Sequence, residues 1–135
     1  MSAVLVLDAS AAIEAVLGRP LALKIIDQLE QADRVTVPDL YFAEVANALW
    51  KYVRAGDLQV DDAQTLLSTA ASFADDALPA RVLATEALAT AEAFGHPVYD
   101  ALYAITARRE GAAVCTIDKR LLKLLKALRI PTTKL

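Results

Sequence analysis

Two short apolar runs constrain this chain more than any other feature. Ala3 to Leu7 is continuously apolar, Ala113 to Ile117 is nearly so, and each is followed at once by an aspartate, Asp8 and Asp118. A strand wetted on one side alternates apolar with polar residues. A strand without that alternation is buried on both faces, as in a parallel sheet covered by helices. Ser10 is placed to cap a helix after the first strand. Gly18 and Pro20 then break the chain, and a helix is predicted from about Leu21 to Gln31. Arg34 to Val37 reads as a strand ended by Pro38, and Asp39 to Ala55 as a helix closed by Gly56. Leu58 to Phe73 reads as a helix and Arg81 to Leu83 as a third short strand. Thr85 to Phe94 is helical up to Gly95, and Val98 to Glu110 is helical up to Gly111. After the Ala113–Ile117 strand comes a basic amphipathic helix, Lys119 to Leu128, and Ile130 begins a short final strand. Strands alternating with helices give an α/β fold with a central parallel sheet between two helical layers. No linker composition or repeat divides the chain, so all 135 residues read as one domain.

Composition removes several classes of function. With 56% hydrophobic and 23% charged residues, the chain has enough apolar surface to fold, and disorder is excluded. The apolar share is somewhat above that of usual soluble domains, which leaves some for a subunit contact. Its apolar runs are far shorter than the ~20 residues of a membrane span, and no basic stretch followed by an apolar one marks a signal peptide. Cys115 is the single cysteine. It can form neither an internal disulfide nor a thiolate metal site, which suits a reducing cytoplasm, and it reads as a small buried strand residue.

The charge is unevenly spread. Residues 1–107 hold six Lys/Arg against fifteen Asp/Glu, and residues 108–135 hold eight against two, within a net charge of −3. A local basic surface can attract phosphate on an acidic protein. Lys119, Lys123 and Lys126 on the last helix are the candidate phosphate contacts, with a solvated helix face as the plain alternative.

The acids carry the chemistry. Asp8 and Asp118 close buried strands, and in an open α/β sheet sites form beyond the carboxyl ends of the strands. Glu44 stands on or beside the apolar face of its helix, near Leu40, Tyr41, Asn47 and Ala48. A carboxylate there is costly unless paired or metal-bound. Asp100 lies in the first turn of a helix whose Tyr103, Ala104 and Ala107 face inward. Singly, each acid has a bland reading as a helix cap, a dipole partner or a half-exposed side chain. Together they repeat one theme, acids at strand ends or near helix starts with inward placement. Clustered carboxylates resist ionising together, and Mg²⁺ or Mn²⁺, which prefer oxygen ligands, relieve that conflict. Such an ion supports phosphodiester hydrolysis without a Ser, Cys or His nucleophile. His96, the one histidine, reads as a surface turn residue before Pro97.

Val6-Leu7-Asp8-Ala9-Ser10 resembles the opening strand motif of PIN-domain ribonucleases. Pro38 to Glu44 with Asn47-Ala48-Leu49 resembles that family's second motif, with its helical acid. His96-Pro97-Val98-Tyr99-Asp100-Ala101-Leu102-Tyr103-Ala104 resembles the third motif, and Cys115-Thr116-Ile117-Asp118 followed by Lys119 and Leu122 the fourth. The resemblance spans essentially the whole chain, and within the family it is most like VapC, the toxin of VapBC toxin–antitoxin pairs. It implies a PIN-like three-layer α/β/α fold and a Mg²⁺- or Mn²⁺-dependent endoribonuclease acting on RNA. It also implies a homodimer held in check by a small VapB-like antitoxin. By motif position, Asp8, Glu44, Asp100 and Asp118 are the metal-holding and water-activating acids, and Ser10 and Thr116 are supporting polar residues.

Other readings remain open on the residues alone. A phosphotransferase with Asp8 as nucleophile would usually carry a second acid two positions on, where Ser10 stands. A PIN nuclease without an antitoxin, or a non-catalytic module that uses the acids to bind metal or cap helices, would share most of these features.

Overall fold

The computed structural model describes residues 3–135; Met1 and Ser2, the first two positions of the single-domain reading, lie outside the described residues. Among the described residues, four strands, β1 (Val4–Leu7), β2 (Arg34–Pro38), β3 (Asp76–Leu78) and β4 (Ala113–Cys115), alternate with seven helices. These are α1 (Ala9–Val16), α2 (Ala22–Gln31), α3 (Leu40–Arg54), α4 (Val60–Ser72), α5 (Ala80–Phe94), α6 (Val98–Glu110) and α7 (Lys119–Ala127). The strand order is β3-β2-β1-β4 and every pairing is parallel. Val6 stands beside Thr36 on one side and Val114 on the other.

Alternate residues of each strand feed separate cores. Leu5, Leu7, Val35, Val37 and Cys115 face one way and pack with α1 to α4. Val6 and Val114 face the other way and pack with Leu83 and Ala87 of α5, Ala104 of α6 and Leu121, Leu124 and Leu125 of α7. The molecule is thus a three-layer α/β/α fold, and this double burial is why β1 lacks alternation. Cys115 is free and fully buried, as its sequence context predicts. No helix of the described residues is long and apolar enough to cross a membrane.

Two local readings are corrected. Arg81 to Leu83 is not a strand but the first turn of α5, where Leu83 and Ala87, four apart, both reach the core. The third strand is Asp76–Leu78, an edge strand with Asp76 and Ala77 exposed. No final strand forms after Ile130; Thr132 makes only an isolated bridge to Val114. The positive φ of Gly95 (68°) and Gly111 (62°) ends α5 and α6 in the left-handed conformation that glycine adopts without a Cβ penalty.

Because all strands are parallel, Leu7, Pro38, Leu78 and Cys115 end at one edge. The chain builds outward from β1 through β2 to β3, then returns to add β4 on β1's other side. The reversal lies between β1 and β4, the point where α/β sheets open a crevice for ligands.

Candidate active site

Asp8 leaves β1 at this crevice, its backbone N–H donating to the Cys115 carbonyl at 3.0 Å. Its side chain does not cap α1. Instead Oδ2 accepts from the hydroxyls of Ser10 (2.5 Å) and Thr116 (2.7 Å). Ser10, placed by its position to cap α1, lies inside the first turn and is spent on Asp8. It also accepts the Ile117 N–H at 3.2 Å, and Thr116 accepts the Asp118 N–H at 3.0 Å. These contacts join the ends of β1 and β4 around one carboxylate. Asp118 caps α7: its Oδ1 accepts the N–H groups of Arg120 (2.9 Å) and Leu121 (3.3 Å). Glu44, half-buried on α3, accepts the Tyr103 hydroxyl on Oε1 at 2.6 Å. These hydrogen bonds fall on Oδ2 of Asp8, Oε1 of Glu44 and Oδ1 of Asp118, and the Ser10 backbone N–H also acts on the Asp8 carboxylate.

Asp8, Glu44 and Asp118 line a cleft of about 580 Å³, together with Ser10, Arg19, Asn47, Lys51 and Tyr52. Burial raises the pKa of Asp8 above the carboxylate norm, opposed by the Ser10 and Thr116 hydroxyls and reinforced by the charge of Asp118. Burial also raises Glu44, opposed by the Tyr103 hydroxyl and reinforced by the charges of Asp8, Asp100 and Asp118. Glu44 therefore feels the charges of the other three acids, and Asp8 feels that of Asp118.

Asp100 is not among the residues lining the cleft. Its carboxylate, 9% exposed, is held by Arg120, with Nε donating to Oδ2 at 2.8 Å and Nη2 lying 3.5 Å from Oδ1. His96 is not the surface residue its turn suggests. Its side chain is 12% exposed, with an unpartnered Nδ1 3.7 Å from Asp100 Oδ2. Lys119, Lys123 and Lys126 are exposed on α7 and outside the cleft lining. Among the described residues, no three His, Cys, Asp or Glu side chains are drawn together as tightly as a metal ion would hold them. The donor chemistry is nonetheless that of a hard cation: carboxylate oxygens and hydroxyls, with no sulfur.

Residues 5–126 match the PIN domain family. The chain belongs to it. A relative from Pyrobaculum aerophilum named ribonuclease VapC3 is 36% identical over 106 residues, spanning 76% of this chain and 80% of the relative. The solved structure of PAE2754 from Pyrobaculum aerophilum is 29% identical, with a TM-score of 0.72, and the match covers 90% of this chain and 79% of that one. VapBC2 from Rickettsia felis, solved bound to a promoter DNA fragment, shares the fold at a TM-score of 0.69 and 14% identity, covering 96% of this chain and 97% of that chain.

This PIN domain also brings to its cleft Asn47, read in the sequence only as a helical neighbour of Glu44, and Lys51 and Arg19, which the sequence did not mark. Asn47 and Lys51 follow Glu44 at three and seven positions, so helical spacing alone places them beside it. Arg19 comes from the turn after α1. Its guanidinium lies 5.4 Å from the Tyr52 ring centroid and hydrogen-bonds the Tyr52 hydroxyl. The Tyr103 hydroxyl and Arg120 gave no local signal, since their partners lie 59 and 20 positions away.

Proposed function

We propose that this PIN domain is a Mg²⁺- or Mn²⁺-dependent endoribonuclease and the toxin of a VapBC-type pair. The observation that carries the reading is the cleft itself. Of the four carboxylates that line it, Asp8, Glu14, Glu44 and Asp118, three come from motif positions on separate segments (Asp8, Glu44 and Asp118), and the basic side chains of Arg19 and Lys51 lie among them. Asp8, Glu44, Asp100 and Asp118 would hold the divalent ion, with Ser10 and Thr116 fixing Asp8. Bound there, the ion would stabilise negative charge on the phosphodiester oxygens.

The chain's own residues account for the rest. Glu44, which reaches the cleft from α3, suits the residue that orients the attacking water and takes its proton. The water oxygen forms the new bond to phosphorus as one ester bond breaks. Arg19 and Lys51 face the cleft and hold flanking phosphates, and Lys119, Lys123 and Lys126 extend the positive surface along α7.

A VapB-like antitoxin is supported by the ribonuclease VapC3 likeness and by an apolar groove of about 150 Å³ between α3 and α4, rimmed by exposed Trp50 and Val60. Exposed Val82, Leu88 and Phe94 of α5 support a homodimer, and a chain with one buried free cysteine suits the cytoplasm. The non-catalytic reading draws on Asp118, whose capping of α7 is a structural role in its own right. One assay separates the two: purified, partner-free protein with labelled RNA in Mg²⁺, in Mn²⁺ and in chelator. The nuclease reading expects cleavage only with metal, and near-complete loss in Asp8→Asn, Asp100→Asn and Asp118→Asn with the fold intact. Cleavage that persists undiminished in chelator would falsify it.

A further inference from the structure

Arg120 touches two of the four acids at once. Its backbone N–H is capped by Asp118 Oδ1 at 2.9 Å, and its guanidinium reaches Asp100 at 2.8 Å. The charges of Asp118 and Glu44 also act on it. Asp100 is almost fully buried, and a buried carboxylate needs a cationic or hydrogen-bonding partner. His96 sits at 3.7 Å without a hydrogen bond, so Arg120 is the side chain that fills this role. Yet the Arg120 side chain is itself 60% exposed. Water reaches the guanidinium end of the pair, which screens it and leaves the guanidinium free to be displaced.

The arrangement is that of one cation standing where another belongs. While Arg120 holds Asp100, the acids are not gathered as an ion site. A divalent ion that recruits Asp100 has to take it from the guanidinium. The exchange keeps the buried carboxylate neutralised throughout and leaves a freed guanidinium at the rim of the cleft. The planar guanidinium fork fits two phosphate oxygens, which a lysine ammonium cannot match.

We propose that Arg120 is a resident counter-ion: it holds Asp100 in place of the divalent ion, yields it when the ion binds, and then grips the phosphodiester of the RNA. The inference rests on the nuclease reading above and makes Arg120 both a counter-ion to Asp100 and a contact to the RNA. The test is calorimetric titration of Mn²⁺ into wild type, Arg120→Gln and Arg120→Lys, followed by binding of an uncleavable 2′-O-methyl RNA strand at saturating Mn²⁺. Without the competing cation, Arg120→Gln takes up Mn²⁺ roughly threefold to tenfold more tightly and binds the RNA more weakly. Arg120→Lys, keeping charge without the fork, falls between on both scales. Equal or weaker Mn²⁺ binding by Arg120→Gln overturns the exchange while leaving metal-stimulated cleavage by wild type untouched. Tighter Mn²⁺ binding with unchanged RNA affinity overturns the second half. If neither wild type nor Arg120→Gln binds Mn²⁺ and no metal-stimulated cleavage occurs, the nuclease reading falls and takes this inference with it.

Discussion

Asp118 carries two jobs that point mutants can separate. Oδ1 caps α7 and Oδ2 is left to the cleft. Asparagine caps a helix about as well as aspartate, whereas alanine costs about 1 kcal/mol. In chelator, Asp118→Asn should melt no lower than wild type, because it keeps the cap and removes one like charge. Asp118→Ala should melt lower. Added Mn²⁺ should stabilise wild type by ~2.7 kcal/mol at 100 times its Kd and both variants by much less. Equal metal stabilisation of wild type and Asp118→Asn in thermal melts removes Asp118 from the ion site. Glu44 makes a second residue-scale prediction. Its folded pKa is raised by burial and by Asp8, Asp100 and Asp118, so the folded state holds the proton more tightly than the unfolded chain does. Stability from that proton is present in full below the unfolded value, 4.5, and is lost as pH rises through the higher folded value. Metal-free protein should therefore gain melting temperature as pH falls from 8 toward 5, and Glu44→Gln should flatten the gain. A wild-type melting temperature that drops over that interval, with Glu44→Gln following in parallel, contradicts the assignment.

At the scale of elements, what could be read in advance followed burial. β1 announced itself because both its faces are covered, and α6 because Pro97 and Gly111 bracket it. β3 did not. It is a three-residue edge strand beginning with the exposed Asp76 and Ala77, so hydrophobicity could not mark it, and the nearby apolar Val82 and Leu83 drew the strand reading into what is helix. The site divides the same way. Acids at strand ends and on motif-bearing helices were visible locally, but the Tyr103–Glu44 and Arg120–Asp100 bonds exist only once α3, α6 and α7 meet. The α3–α4 pair offers a prediction of its own. The buried Tyr41 hydroxyl donates to the Ala70 carbonyl at 2.7 Å. Tyr41→Phe deletes one bond without opening a cavity and should cost about 1 kcal/mol in denaturant unfolding. A loss below the error of the measurement would mean that apolar packing alone holds α4 in place.

Over the whole molecule, charge and shape do not coincide. The basic excess of residues 108–135 is conspicuous in the sequence, yet the cations lining the cleft, Arg19 and Lys51, come from the acidic remainder. Removing a phosphate contact weakens RNA binding and flattens its salt dependence. The pair Arg19→Gln and Lys51→Gln should flatten it more than Lys123→Gln and Lys126→Gln, measured by RNA affinity across a salt series. The reverse ranking would move the RNA track onto α7. The Thr116–Asp8 bond closes a separation of 108 positions. A chain still being synthesised exposes Asp8 and Glu44 long before Thr116, Asp118 and Arg120 exist to complete their surroundings. Its strand β1 waits just as long for β4. An interrupted translation product ending before β4 therefore lacks both a sheet neighbour for β1 and a finished acid set, so a ribosome releases a competent site only with a nearly whole polypeptide.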